Sequence, residues 1–259
     1  MSERILNVYV WVMLAFLLVP ILVVIPVAFS ENVSLTFPPR GFSMRWFSNI
    51  VNRPEFVTAF TMSAKVALVA TVSSMVCGVT AAIAFARYTF PGRDALLVLF
   101  MAPLIFPAIV LGAAIALMLS PFGLLRSFWG LVFAHIMLTF PYVLRSTLAT
   151  LLEIDKALVE AAYMSGANRW KAFRHVTLPL MRPGLIAGLT FSLIISFDEF
   201  TISMFLVGPG VMTLPLEMYH YAEFSVDPTL AAISAILLII TCIAVLIIER
   251  LVGLGKQFR

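Results

Sequence analysis

The sequence is short of charge, cysteine and histidine, and each shortage excludes a class of protein. Only 12% of its 259 residues are charged, half the share of about 25% with which a soluble domain covers its surface. A free-standing water-soluble globule is therefore excluded. The two cysteines, Cys77 and Cys242, each lie within an apolar run. Separated in this way they form neither a disulfide framework nor a metal site, and they read as small packing residues. His135 and His220 lack ligand spacing, so no metal is assigned. A glycine-rich phosphate loop of the GxxxxGKS/T kind is missing, which argues against ATP hydrolysis by this chain itself. No Ser–His–Asp or paired-carboxylate arrangement points to chemistry on a bond. The net charge is +4, but the basic residues cluster beside apolar runs and carry no nucleic-acid signature.

What the sequence has in quantity is apolar residues, 62% of the total. At least five runs reach 18 residues or more with few charges, long enough for transmembrane helices. A run such as LAAISAILLIITCIAVLII does not alternate, which excludes a β-barrel strand. The expected fold is an all-α polytopic membrane protein, one domain over residues 1–259. Six spans are predicted, at 8–29, 57–86, 96–119, 128–148, 185–207 and 229–248. The second is longer than a hydrocarbon core of about 30 Å requires. The first has too long an apolar core for a signal peptide and is read as a retained helix.

The basic residues set the orientation. Arg4, Arg87, Arg93, Arg145, Lys156, Arg169, Lys171, Arg174, Arg182, Arg250, Lys256 and Arg259 fall on one side, against Arg40, Arg45, Arg53 and Arg126 on the other. Both termini are expected in the cytoplasm. The loop between the fourth and fifth spans, residues 153–182, is then the largest cytoplasmic segment. Within it EAAYMSGANRWKAFRHVTLP (160–179) is basic and amphipathic. Asp155 is placed to cap one short helix and Gly166 to end it. Asn168 is placed to cap a second, running through His175, before Pro179 and Pro183 stop the pattern. On the residues alone, two readings stand. One is an interfacial helix among lipid headgroups. The other is a docking knob for a soluble partner, with Trp170 and Phe173 as aromatic anchors.

The spacing Glu160-Ala161-Ala162, three residues, Gly166, nine residues, Val176-Thr177-Leu178-Pro179 resembles the EAA loop of ATP-binding-cassette importer permeases. Val176 stands where isoleucine is usual. Phe85-Ala86-Arg87-Tyr88 and the stretch SFDEFTISMFLVGPGVMTLPLEMY (196–219) extend the resemblance over roughly residues 57–250. It looks most like the second permease of polyamine (spermidine/putrescine)-type importers, a relationship that also takes in opine, γ-aminobutyrate and aminophosphonate systems. The resemblance implies a location in the bacterial cytoplasmic (inner) membrane. It implies as partners a second, different permease chain, two cytoplasmic ATPases that bind ATP and Mg, and an outer substrate-binding protein. It also implies that the 153–182 loop is a coupling helix seated in a groove of the ATPase. Glu160, Ala161, Ala162, Gly166, Trp170, Phe173, Leu178 and Pro179 are its expected coupling residues.

Asp198 and Glu199 fall inside the fifth predicted span. A carboxylate at that depth costs on the order of 2.5–3.5 kcal/mol on insertion scales. On a continuous helix Ser192, Ser196, Glu199 and Ser203 form one polar stripe, expected to line a translocation path for a cationic solute. Asp198 points about 100° away, and Lys65 of the second span, at similar depth, is its expected structural partner. The alternative readings are that both carboxylates are structural and that Lys65 snorkels outward. Two other functions compete with this one. An ion-coupled secondary transporter using Asp198 and Glu199 calls for internal repeats, which the sequence lacks, and an intramembrane enzyme lacks a catalytic set.

Overall fold

The computed structural model describes residues 3–252. Lys256 and Arg259, counted above on the cytoplasmic side, lie outside the described residues. The helices follow in the order α1 (Glu3–Ala28), α2 (Arg45–Val51), α3 (Pro54–Arg87), α4 (Arg93–Met101), α5 (Ala108–Leu119), α6 (Phe128–Glu153), α7 (Lys156–Met164), α8 (Arg169–Ala172), α9 (Leu178–Leu180), α10 (Arg182–Phe197), α11 (Leu214–Phe224) and α12 (Thr229–Val252). A π-helical turn, Phe173–Thr177, joins α8 to α9. The single β contact among the described residues is a bridge between Gly208 and Val211. The fold is all-α, as the composition predicts.

Four helices are long and apolar enough to cross a membrane alone: α1, α3, α6 and α12. Two bent pairs bring the number to six if each counts as one span. With 34 residues, α3 is about 51 Å long at 1.5 Å per residue, well beyond a hydrocarbon core. The third predicted span, 96–119, is not one rod. Arg93–Leu104 and Ala108–Phe122 meet at 105°. Pro107 lies at the corner with φ −56 and ψ 132; it has no N–H to extend the helix and holds the preceding residue out of helical geometry. The fifth predicted span, 185–207, is also corrected. Its helix begins earlier, at Arg182, and stops at Phe197.

The described residues form two compact units, residues 3–58 with Glu217–Ile243 and Ala59–Leu216 with residues 244–252. In the first, Trp46 of α2 is buried among Val27, Ala28, Ala231, Ala232 and Ala235. Its indole Nε1 donates to the Ser30 carbonyl at 2.7 Å. Asn49 donates to Thr229 Oγ1 at 2.8 Å. Asp227 accepts from the Thr229 N–H at 2.9 Å and from the Tyr221 hydroxyl at 2.6 Å, so Asp227 caps the start of α12.

In the second unit α6 and α10 are the main packing pair, and glycine lets them touch. A Cβ on Gly184 would meet Thr150 Oγ1 and stand 2.5 Å from the Ser146 carbonyl oxygen; one on Gly188 would stand 3.1 Å from Val143 Cα. Close approach through small residues suits helices that share lipid rather than water. A core of Val66, Ile115, Leu131, Val132, Leu138, Ile202 and Leu206 brings α3, α5, α6 and the chain after α10 together.

Candidate functional site

The 153–182 loop is built by local rules. Asp155 Oδ1 accepts from the Ala157 N–H at 2.9 Å and opens α7. Every residue of α7 is exposed or half-exposed, with Leu158, Tyr163 and Met164 among the apolar ones. Gly166 ends it at φ +82, and the Gly166 and Ala167 N–H groups close on the Tyr163 and Ala162 carbonyls at 2.9 and 3.0 Å. Asn168 Oδ1 then accepts from the Lys171 N–H at 2.8 Å. The second helix does not stop near His175 as the prolines suggest. It passes through the π turn, in which the Leu178 N–H reaches the Phe173 carbonyl, and continues to Leu180. The wide turn re-registers the ladder just before Pro179, which has no N–H to give. A bend of 62° then leads into α10.

Within this loop Glu160 and Ala161 are exposed and Ala162 is half-buried. The two expected anchors point different ways. Trp170 is 64% exposed, whereas Phe173 is half-buried and, with Leu178, packs on the core of Ala82, Phe85, Leu144, Leu148 and Met181. The two rings still stack, 5.9 Å between centroids. Arg87, the last residue of α3, lies over the Phe173 ring at 5.7 Å and donates from a terminal guanidinium nitrogen to Thr177 Oγ1 at 3.2 Å. Pro179 is half-buried.

The expected polar stripe of the fifth span is not present as such. Because α10 ends at Phe197, Glu199 lies off the helix, and Ser203 belongs to a separate 3-10 turn, Ser203–Phe205. Glu199 itself helps cause the break. Its Oε1 accepts from the Ile202 N–H at 2.7 Å, offering the backbone an alternative to continuing α10. Ser192, Ser196 and Ser203 are all buried. Ser192 donates to Thr71 Oγ1 of α3 at 3.1 Å. His135 of α6 joins the other two, with Nδ1 at 2.8 Å from Ser196 Oγ and Nε2 at 3.0 Å from Ser203 Oγ. A neutral imidazole donates through one nitrogen and accepts through the other, so both sides of the break are tied to one ring. Thr139, one turn on, donates to the His135 carbonyl at 2.7 Å and pairs with Ser74 of α3 at 2.8 Å.

Lys65 and Asp198 are not brought together. Both are exposed, and the one ion pair among the described residues is Arg93–Asp94 at 3.1 Å. Asp198 caps the end of α10 at φ −90 and ψ 2, outside the helical register on which the depth match rests. No three His, Cys, Asp or Glu side chains converge among the described residues, so the metal-ligating side chains present no cluster that could hold an ion. Sequence reasoning missed His135. Its one available signal was a histidine within an apolar span, opposite two serines seven residues apart.

Within the second unit, apolar helices enclose a polar seam of serines, threonines and His135, and the first helix of the 153–182 loop is left uncovered. Residues 74–254 match the family model described as binding-protein-dependent transport system inner membrane component. The chain is 28% identical over 233 residues to the spermidine/putrescine transport system permease protein PotC of Escherichia coli, covering 90% of this chain and 88% of that one. It is 26% identical over 230 residues to the putrescine transport system permease protein PotI of the same species, covering 86% and 82%. Among solved structures, a bacterial ABC transporter involved in the import of the acidic polysaccharide alginate shares the fold, with TM-score 0.67, 19% identity and coverage of 97% and 96%. The protein belongs to the binding-protein-dependent transport system inner membrane component family, as a multi-pass permease subunit of an ABC importer.

Proposed function

We propose that this chain is one of two different permease subunits of an importer for polyamines or related amine solutes. The observation that carries the coupling part is the knob of residues 155–180. Its first helix is capped at both ends, leaves its apolar side chains uncovered and connects through an unbroken path of backbone to α10. Such an element suits the groove of a cytoplasmic ATPase, with Trp170 and the exposed α7 side chains, Glu160 among them, inserted. The partner ATPases bind ATP and Mg, and closure of their dimer pulls the knob. The spans then alternate between outward and inward access. With twelve basic residues on the knob's side of the membrane and four opposite, both termini lie in the cytoplasm. An outer binding protein delivers the solute and supplies most of the selectivity, since a permease that bound tightly would not release.

The amine preference rests on the polyamine importers named among the relatives and on two carboxylates at the break in the fifth span. One oxygen of Glu199 is committed to the Ile202 N–H, and the Asp198 carboxylate is exposed. The test is uptake into proteoliposomes holding this chain, its second permease, the ATPases and the binding protein, offering putrescine, spermidine and γ-aminobutyrate in turn. Glu199→Gln keeps an oxygen for the Ile202 N–H and removes only the charge. Loss of uptake confined to the cationic amines, with ATP hydrolysis retained, is the expected result. Unchanged uptake places the amine preference wholly in the binding protein. Wild-type uptake of γ-aminobutyrate alone removes the polyamine assignment.

A further inference from the structure

Besides its backbone link to α6 through Ile154, the knob is attached to the membrane helices in two ways that bear on α10 and α3. The first attachment is covalent, through the π turn and the 62° bend into α10. The second is the contact of Arg87 with Phe173 and Thr177, and it joins the knob to the end of α3. Three features make this contact more than incidental. Thr177 is 3% exposed, so its hydroxyl has few partners to choose from, and Arg87 is the one in place. The Phe173 ring that receives the guanidinium face also stacks on Trp170, the exposed aromatic of the knob. The end of α3 is itself held fast, because Arg93 donates twice to the Phe85 carbonyl, at 2.8 and 3.2 Å. A push on Trp170 therefore reaches α3 through two rings and one guanidinium, without passing along the backbone.

The two attachments rejoin higher in the bundle. Thr71 lies 16 residues before Arg87 on α3, about 24 Å away along the helix, and there it accepts from Ser192 of α10. Knob, α3 and α10 thus form a closed frame, with Arg87 at one corner. A frame with a rigid corner transmits displacement to both helices together. With that corner released, α10 and the α6 packed on it move without α3 and strain the Ser192–Thr71 contact.

We propose that Arg87 is the positioning residue that couples the docking knob to α3, so that ATP-driven motion of the knob moves α3 and α10 as one body. This rests on the reading of the knob as the ATPase-docking element, and it is independent of the substrate. Arginine suits the position because its planar guanidinium can lie on a ring and donate to a hydroxyl at the same time, which a lysine ammonium cannot do as well.

The test compares Arg87→Met, Arg87→Lys, Thr177→Val and Phe173→Leu with wild type in proteoliposomes that hold both permeases, the ATPases and the binding protein. Three quantities are read: retention of the ATPase on the purified complex, ATP hydrolysed, and spermidine taken up. If wild type takes up no spermidine, the substrate reading has failed on its own, and stimulation of ATP hydrolysis by the binding protein replaces uptake as the coupling readout. Arg87→Met is expected to retain the ATPase and to lose about tenfold or more in uptake per ATP, or in stimulation. Arg87→Lys recovers an intermediate value. Thr177→Val and Phe173→Leu shift the ratio the same way by smaller factors. An unchanged ratio in Arg87→Met overturns the proposal. So does loss of the ATPase from that complex, which would make Arg87 a support of the knob's fold. A defect in Arg87→Met that neither Thr177→Val nor Phe173→Leu shares also overturns it, because the contact would not be the carrier. Failure of the wild-type complex to retain any ATPase overturns the docking reading beneath it.

Discussion

The knob of residues 155–180 and the break in the fifth span both depart from long apolar helix, and they do so by opposite means. In the knob the caps and the turn are local: Asp155 reaches two residues, Asn168 three, and Gly166 turns the chain through its own φ. Only Phe173, Thr177 and Leu178 draw on distant residues. In the break one fixed point, Glu199 on the Ile202 N–H, is local, and the others come from far along the chain. His135 is 61 residues from Ser196 and 68 from Ser203, and Thr71 is 121 from Ser192. Locally built structure can stand exposed without disturbing the bundle, as α7 does. Structure built from distant groups is buried by the elements that supply them, and here all three serines are. The difference teaches where each region is vulnerable. On the proposed docking, a change in the knob is expected to cost its partner before its shape, whereas a change at the break costs shape first.

The largest test of that contrast is His135→Leu. Two buried hydroxyls lose their partner, at about 1–3 kcal/mol for each buried group left unsatisfied and nearer ~0.6 kcal/mol per bond where lipid-embedded helices re-pair. A fall of roughly 2 °C or more in thermal midpoint of the detergent-purified permease complex is expected, at 2–4 °C per kcal/mol for a chain of this size. His135→Gln, which can still bond one serine, should fall between. A midpoint unmoved in His135→Leu would break the comparison, since the serines would then be satisfied without the ring.

Next in size is the division between Trp170 and Phe173. Trp170→Ala removes an exposed aromatic, so the midpoint should stay within the ±0.5 kcal/mol typical of surface changes. Retention of the ATPase should fall about tenfold or more, the scale of a buried aromatic anchor at an interface. Phe173→Ala should reverse the order, lowering the midpoint by emptying part of the α3–α6 core. Equal loss of stability in the two variants would show that the knob is supported as a unit, and the contrast between outward and inward aromatic would fail.

The same separation in sequence governs what the chain discloses before it is folded. The class, the approximate spans and both caps of the knob are legible because apolar length and the Asp, Gly and Asn signals act over a few residues. The corner at Pro107 is legible in principle, since two prolines four apart in 103–107 oppose a straight helix; lipid-embedded helices often absorb prolines, which hides the signal. The end of α10 is less accessible. Reading Ser192, Ser196, Glu199 and Ser203 as one stripe assumes continuous helix, and Glu199 ends that continuity by capping Ile202. Nothing near residue 199 announces this choice, because the stability of the resulting turn comes from His135 on another helix. The Lys65–Asp198 pairing fails for the same reason, as depth counted along a helix loses meaning once the helix stops.

The smallest effects belong to the knob's own fixed points, and they sharpen the comparison most finely. No atom lies within 4 Å of a Cβ added at Gly166, so Gly166→Ala costs only the backbone term for a left-handed residue, about 1–2 kcal/mol. Gly166→Asn should cost less, since asparagine visits that region more readily. Asn168→Ala loses one cap at about 1 kcal/mol. Each cost should appear as several-fold faster amide hydrogen exchange in α7 and α8, at about tenfold per 1.4 kcal/mol when exchange follows local opening. The amides of α6 and α10 should be unaffected, because these fixed points draw on nothing beyond their neighbours. Faster exchange spreading into α10 from Gly166→Ala would mean that the knob and the span open together. The knob would then share the cooperative, non-local construction of the break, and its ability to bear on a partner without deforming the bundle would have to come from the Arg87 corner alone.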